Sequence, residues 1–297
     1  MEYLYYILIL SGIYVILSTS LNLIVGYTGL LSISHAAFYG IGAYIAALMA
    51  LNLNTPFFLN IITAMLLSGL LGAFIGIPSI RIRDDYFVIA SFAFQVITFS
   101  ILNNWDSLTG GPLGLPGIPR PNIFGLTISN NLGFLLLVLF FCAFVLLFSY
   151  TIVKSPFGRV LKAIREDETI AIAAGKNVAR FKILVFILGA GMASISGVMY
   201  AHYISFIDPT SFTVMESIFI ITIVIIGGAG SLSGSIVGAI VMVFLPEILR
   251  FIGVPNSIAA NLRQIFYGTT LVALMIWRPR GLLGDFEFKR TVSNAEK

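Results

Sequence analysis

Long apolar windows follow one another along almost the whole chain, at residues 4–25, 36–51, 59–80, 86–102, 132–152, 183–204, 216–230, 234–252 and 261–277. Most are long enough for a helix to cross a bilayer core of about 30 Å at about 1.5 Å per residue. The second, fourth and seventh are short, which suits tilted, broken or re-entrant segments. Turn formers separate the windows, among them Asn52-Leu53-Asn54-Thr55-Pro56 after the second and Pro78 at the end of the third. The pattern predicts an all-α fold, a polytopic transmembrane helical bundle of about nine spans within a range of eight to ten. One membrane domain covers residues 1–297, with a polar loop at 151–182 and a polar tail at 278–297.

Composition sharpens this picture. Of 297 residues, 58% are hydrophobic and 10% charged, against roughly 25% charged in an average soluble chain. The 78 residues from Tyr3 to Ile80 hold no Asp, Glu, Lys or Arg. As one helix they would run about 117 Å, so they must fold into several spans. A soluble globular enzyme, a disordered chain and a nucleic-acid binder are excluded. The single cysteine, Cys142, has no partner for a disulfide or a Cys-based metal site. No basic residue precedes the first apolar run, which reads as a retained span and not a cleaved signal.

Charge then orients the chain. Loop 151–182 carries seven basic residues (Lys154, Arg159, Lys162, Arg165, Lys176, Arg180, Lys182) and three acidic ones, and the tail from Arg278 carries five basic residues. Both belong on the cytoplasmic side by the positive-inside rule. Arg81 and Arg83 place the turn before the fourth window there as well. The segments 103–131, with one Arg, and 205–217, with Asp208, Glu216 and no base, belong outside. These assignments alternate consistently with the N-terminus outside and the C-terminus inside. Segment 103–131 is rich in Gly and Pro and is ordered by turns, as a connection or as a docking surface.

Several chemistries lack their motifs. Gly175-Lys176 is followed by Asn177, and Ile170 stands where a phosphate-binding loop needs Gly. His35 and His202 are far apart and form no zinc motif. Leu232 and Ile195 occupy the places where a nucleophile elbow needs Ser. The chain itself is therefore expected to hold no cofactor, metal or catalytic residue.

The most distinctive apolar stretch is GGAGSLSGSIVGA, residues 227–239. Gly230, Gly234 and Gly238 recur every four residues and share a face on a helix, as Gly72 and Gly76 do. Small residues let backbones approach closely where lipid gives no hydrophobic drive. The same residues fit a second reading, a helix broken at Gly227 and Gly228 whose free backbone groups line a path. Asn22, Gln95 and Gln264 are polar groups at depth, suited to interhelical hydrogen bonds or to substrate contact. His35 reads as a satisfied structural histidine. Glu216, Glu247, Arg250 and Arg263 fall near predicted span ends, where side chains reach the interface. No ionisable group is placed at mid-membrane, which argues against a proton- or sodium-coupled carrier.

Residues 157–178, FGRVLKAIREDETIAIAAGKNV, are opened by Pro156 and Gly158 and closed by Gly175. Arg159, Lys162, Glu166 and Thr169 form a polar stripe; Phe157, Leu161, Ile164 and Ile172 form an apolar one. The spacing predicts a short amphipathic helix in the interface plane. It connects two spans, binds anionic lipid or docks a protein. The cluster Arg165-Glu166-Asp167-Glu168 favours a protein.

Five segments together resemble a known family: 21–44, 85–97, 108–121, 157–178 and 227–239. The Thr-Gly-Gly-Pro run at 109–112 with its following Gly-Ile-Pro, and Arg165-Glu166-Asp167-Glu168 with Gly175 seven residues later, are the most specific. The chain resembles the membrane permease subunits of branched-chain amino acid ABC importers, of the LivM type. Its loop departs from the Glu-Ala-Ala…Gly pattern of many other ABC importers, with Thr169 six residues before Gly175.

The resemblance implies a subunit that forms a translocation path with a sister permease in a prokaryotic plasma (inner) membrane. Two ABC ATPase subunits, holding ATP and Mg, would dock inside. An extracytoplasmic substrate-binding protein would deliver leucine, isoleucine or valine outside. It further implies that Gly158, Arg165, Glu166, Asp167, Glu168 and Gly175 form the ATPase-coupling loop. Asn22, Gln95, Gly227 and Gly228 are candidates for the translocation path, where helix N-termini at a break suit a carboxylate. Gly72, Gly76, Gly230, Gly234 and Gly238 remain assigned to helix packing. The same architecture serves urea or short amides, and a stand-alone channel or secondary carrier is the alternative from another class.

Overall fold

A computed structural model of the protein describes residues 2–79, 84–123, 126–251 and, towards the C-terminus, 268–269, 272 and 281–284. Arg81, Arg83, the ninth apolar window apart from Gly268, Thr269 and Val272 (so Arg263 and Gln264 among it), and most of the tail from Arg278 lie outside the described residues. Eleven helices are described: α1 (Glu2–Thr28), α2 (His35–Leu53), α3 (Phe57–Ser79), α4 (Asp84–Asn104), α5 (Asp106–Thr109), α6 (Asn131–Lys154), α7 (Pro156–Glu166), α8 (Glu168–Ala173), α9 (Val178–Ile204), α10 (Val214–Gly227) and α11 (Leu232–Phe251). Among the described residues, α1, α2, α3, α4, α6 and α9 are long and apolar enough to cross a membrane, while α10 and α11 are shorter apolar helices. The chain is a multi-pass helical membrane protein.

Helix boundaries follow the local chemistry. Gly29 takes a left-handed φ of 77° and ends α1. Asn130 opens α6 by accepting from Leu132 N at 3.2 Å, as an N-cap does. Pro156 then starts α7, its ring filling a position that needs no N–H donor.

The helices α1 and α9 are apolar on all sides and run through the middle of the bundle, as all-round apolar helices do. Small residues set the closest crossings. A Cβ on Gly42 of α2 would strike the backbone of Ser194 on α9, and one on Gly72 of α3 would lie 3.0 Å from Ala190 on α9. Gly76 is buried further along α3. The outer sides of α3, α4 and α6 instead present Leu66, Leu70, Phe74, Ile89, Phe92, Leu136, Phe140 and Leu147, fit for lipid or a neighbouring subunit. The end of the bundle carrying residues 103–131 is tied by two short antiparallel ladders. Leu115–Pro116 pairs with Phe206–Ile207, and Asn122–Ile123 pairs with Leu126–Thr127.

At about 21 Å, the 14-residue α10 is too short for a bilayer core. It runs antiparallel to α11 as a hairpin, with Gly227 against Gly234 and Gly238 against Ile223 O. Packing and the broken helix, two readings of one sequence, are therefore a single feature. Gly230 is corrected in position: it lies in the connecting turn with φ 81°, not on the helix with Gly234 and Gly238. The chain reverses there because Gly228 and Gly230 both adopt positive φ, which glycine alone tolerates readily.

Candidate functional site

The amphipathic segment is two helices, not one. Asp167 is extended (φ −159°, ψ 111°), and its Oδ1 accepts from Thr169 N at 2.8 Å and Ile170 N at 3.1 Å. It caps α8 and turns the chain between the two. Leu161 and Ile164 are buried as expected, and Phe157 stacks on Phe181 at 5.2 Å. Ile172 departs from the expected apolar stripe and is exposed, because the break at Asp167 rotates α8 away from the face of α7. Gly158 is buried where a Cβ would meet the carbonyls of Ile152 and Val153. Gly175, at φ 73°, ends the pair.

The four charges of this segment do not form one outward patch. Arg165 turns inward, its side chain 10% exposed, and donates from Nη1 to Gly26 O at 2.6 Å at the end of α1. Its Nη2 lies 3.2 Å from Glu166 Oε1. Glu168 receives the ammonium of Lys182, buried on α9, at 2.7 Å. Asp167 is used as a cap, and Glu166 is exposed. Arg159, Lys162, Thr169 and Ile170 complete the outward surface. The spacing identified the segment but not these directions, since the partners lie on α1 and α9.

Arg165 meets a second junction. Asn22 of α1 donates to Ser231 O at 2.8 Å and Ser235 Oγ at 2.7 Å, and accepts from Gly230 N at 2.8 Å. The turn between α10 and α11 is thus bonded to α1 four residues before the carbonyl that Arg165 holds. A Cβ on Gly230 would lie 2.7 Å from Arg165 Nη1. On the other side, Leu282 N and Leu283 N donate to Ile226 O and Gly227 O at 2.8 and 2.9 Å, satisfying the last carbonyls of α10. The structure therefore brings Asn22, Gly227, Gly228, Gly230 and Arg165 together. Several backbone groups at this break, among them Ile226 O, Gly227 O, Gly230 N and Ser231 O, are bonded within the chain, as buried polar groups generally are.

Gln95 stands apart from that junction, on α4, fully buried. Its Oε1 accepts from Ala37 N at 2.7 Å and Ser217 Oγ at 3.1 Å, and its Nε2 donates to Phe212 O at 2.8 Å. Ser217 Oγ also accepts from Ala36 N at 3.0 Å, and Ser91 Oγ accepts from Ile33 N at 3.0 Å. Ala36 N and Ala37 N belong to the first turn of α2, where amides lack an i−4 partner in the helix; Ala37 N also donates to Ser34 O at 3.1 Å, and Ile33 lies just before the helix. Gln95 ties the starts of α2 and α10 together inside the bundle. His35, the first residue of α2, is buried with Nε2 2.7 Å from Ser20 Oγ.

Glu216 overturns a further expectation. Its Oε1 accepts from the Tyr14 hydroxyl at 2.6 Å. Tyr14 lies twelve residues from Glu2 and fourteen from Thr28, about 18 to 21 Å from either end of α1. The carboxyl is at mid-height, not at a span end. The short α10 begins inside the bundle, after the Pro209–Phe212 turn, whose Pro209 and Phe212 are buried. The sequence shows only where the apolar window starts, so the depth of that start is invisible in it. Among the described residues, no three His, Cys, Asp or Glu side chains converge as a metal site.

Known proteins match this chain over nearly its whole length. A family model described as the permease component of the branched-chain amino acid transport system matches residues 3–275. The high-affinity branched-chain amino acid transport system permease protein LivM of Escherichia coli K12 is 34% identical, over 92% of this chain and 68% of the relative. A probable branched-chain amino acid transport permease protein LivM of Methanocaldococcus jannaschii is 26% identical, over 94% and 92%. The permease protein LivH of Escherichia coli K12 is 25% identical, over 95% and 94%. No solved structure matches.

Proposed function

The chain belongs to the family of branched-chain amino acid transport system permeases, and from that premise we propose that it is one permease subunit of an ATP-driven importer for leucine, isoleucine and valine. It forms the translocation path with a sister permease. Two separate ATPase subunits, which bind ATP and Mg, dock against α7 and α8. A soluble binding protein delivers substrate at the opposite end, where residues 103–131 and 205–213 lie. The basic residues of 151–182 support a cytoplasmic position for that loop in a prokaryotic plasma membrane.

One observation carries the coupling part of this reading. The α7–α8 pair is anchored on its inner side and uncovered on its outer side. Leu161, Ile164, Arg165 and Lys182 fix it to the bundle. Ile170 and Ile172, 67% and 57% exposed, are uncovered on α8, as the charged Glu166 and Arg159 are on α7. An apolar pair within mixed charge suits a protein partner better than anionic lipid, which the acidic side chains repel. Push or pull on that surface reaches Gly26 through Arg165, and the α10–α11 turn through Asn22.

Co-purification tests the reading. The tagged chain is extracted from its native membrane in mild detergent and its companions are identified by mass spectrometry. Recovery of a sister permease and two ATPases is expected. Ile170→Asp should retain the sister permease and lose most of the ATPases. A chain that comes out alone and stable in several detergents contradicts the reading.

A further inference from the structure

Glu216 is a carboxylate at mid-height, level with Tyr14 between the two ends of α1. Its place in the first turn of α10 invites a simple explanation, complementing the helix dipole. That effect is worth about 0.3–1 kcal/mol at a surface. An acidic side chain at mid-membrane costs roughly 2.5–3.5 kcal/mol on insertion scales. The dipole alone does not offset the cost, so the position asks for a partner.

Among the described residues that partner is incomplete. The Tyr14 hydroxyl occupies Oε1. Among the described residues, no basic side chain pairs with Glu216, and its hydrogen bond to Tyr14 is the one it makes. A carboxylate has room for about four hydrogen bonds across two oxygens. Glu216 is also partly exposed, while Met215 and Ile218, three residues apart, are exposed on another face of α10. Phe219 stands edge-on to Tyr14 at 5.2 Å and holds the ring in place.

A partly exposed anionic oxygen with spare acceptor capacity complements an ammonium group. We infer that Glu216, positioned by Tyr14, receives the α-ammonium of an amino acid in transit. This rests on the importer reading and names a substrate contact within it. The pairing neutralises both charges while the substrate is at the height where each alone is most costly. One carboxylate gives one charge-assisted contact, enough to select a cationic group and weak enough to release it.

The test uses the complete importer, with its sister permease, ATPases and binding protein, in proteoliposomes with radiolabelled leucine. Glu216→Gln keeps shape and hydrogen bonding but removes the charge. It should co-purify with the other subunits in normal amounts and lose at least about tenfold in leucine uptake. Glu216→Asp should recover a substantial part of that loss. Uptake by Glu216→Gln within twofold of the unmodified complex overturns the inference and leaves the importer reading intact. Loss of the sister permease from both variants also overturns it, and makes Glu216 an interface residue. An unmodified complex that moves no leucine at all fails the importer reading itself.

Discussion

Asn22 uses its whole amide on one turn. Both amide hydrogens go to Ser231 O and Ser235 Oγ, and its oxygen takes Gly230 N. Asn22→Leu should leave the Gly230 N–H without its partner and the Ser231 carbonyl with bonds from Ser235 alone, at a cost of about 1–3 kcal/mol. Thermal unfolding in detergent should therefore shift down by several degrees; an unchanged midpoint would show that the turn is held by other means. Asn22 and Gln95 stand out in the sequence as polar groups inside apolar windows, and both are fully buried. Their partners are not legible there, because Asn22 bonds across 209 residues and Gln95 across 117. Glu216 was misleading for a related reason. A charge at the edge of an apolar window looks like a charge at a membrane surface, unless the segment before it also enters the bundle.

The α10–α11 hairpin is the element on which the junction depends. Gly227, Gly234 and Gly238 bring two backbones into contact, with Gly227 Cα 3.0 Å from where a Cβ on Gly238 would lie. Gly238→Ala should force the helices apart and cost about 1–3 kcal/mol, as overpacking does. The check is the melting midpoint of the purified complex, and no shift would contradict the close packing described. The four-residue glycine spacing made this packing legible. It did not separate the helix from the turn, because Gly-Ala-Gly-Ser fits both a small-residue face and a reversal. The α7–α8 pair was legible as an amphipathic segment for the same kind of reason, its period. The break at Asp167 was hidden because an Asp within a charged run looks like one more surface residue until its cap bonds are seen.

At the scale of the molecule, apolar length and charge asymmetry carry most of the fold. Eight of the nine apolar windows coincide with described helices, and of the ninth only residues 268, 269 and 272 are described. The basic loop and the glycine turn meet at one end, joined through Arg165 and Asn22 to α1. The mid-height carboxylate is met at Tyr14, about 12 to 18 Å away along that same helix. A single rigid helix thus connects the surface where ATPases are proposed to act with the height where substrate is proposed to pass. The most direct measurement is leucine uptake by the complete complex in sealed proteoliposomes, with and without ATP on the side of α7 and α8. Accumulation against a gradient that requires both ATP and leucine-loaded binding protein is the result expected. Uptake by this chain alone, indifferent to ATP, would contradict the account and assign the bundle to a channel or carrier.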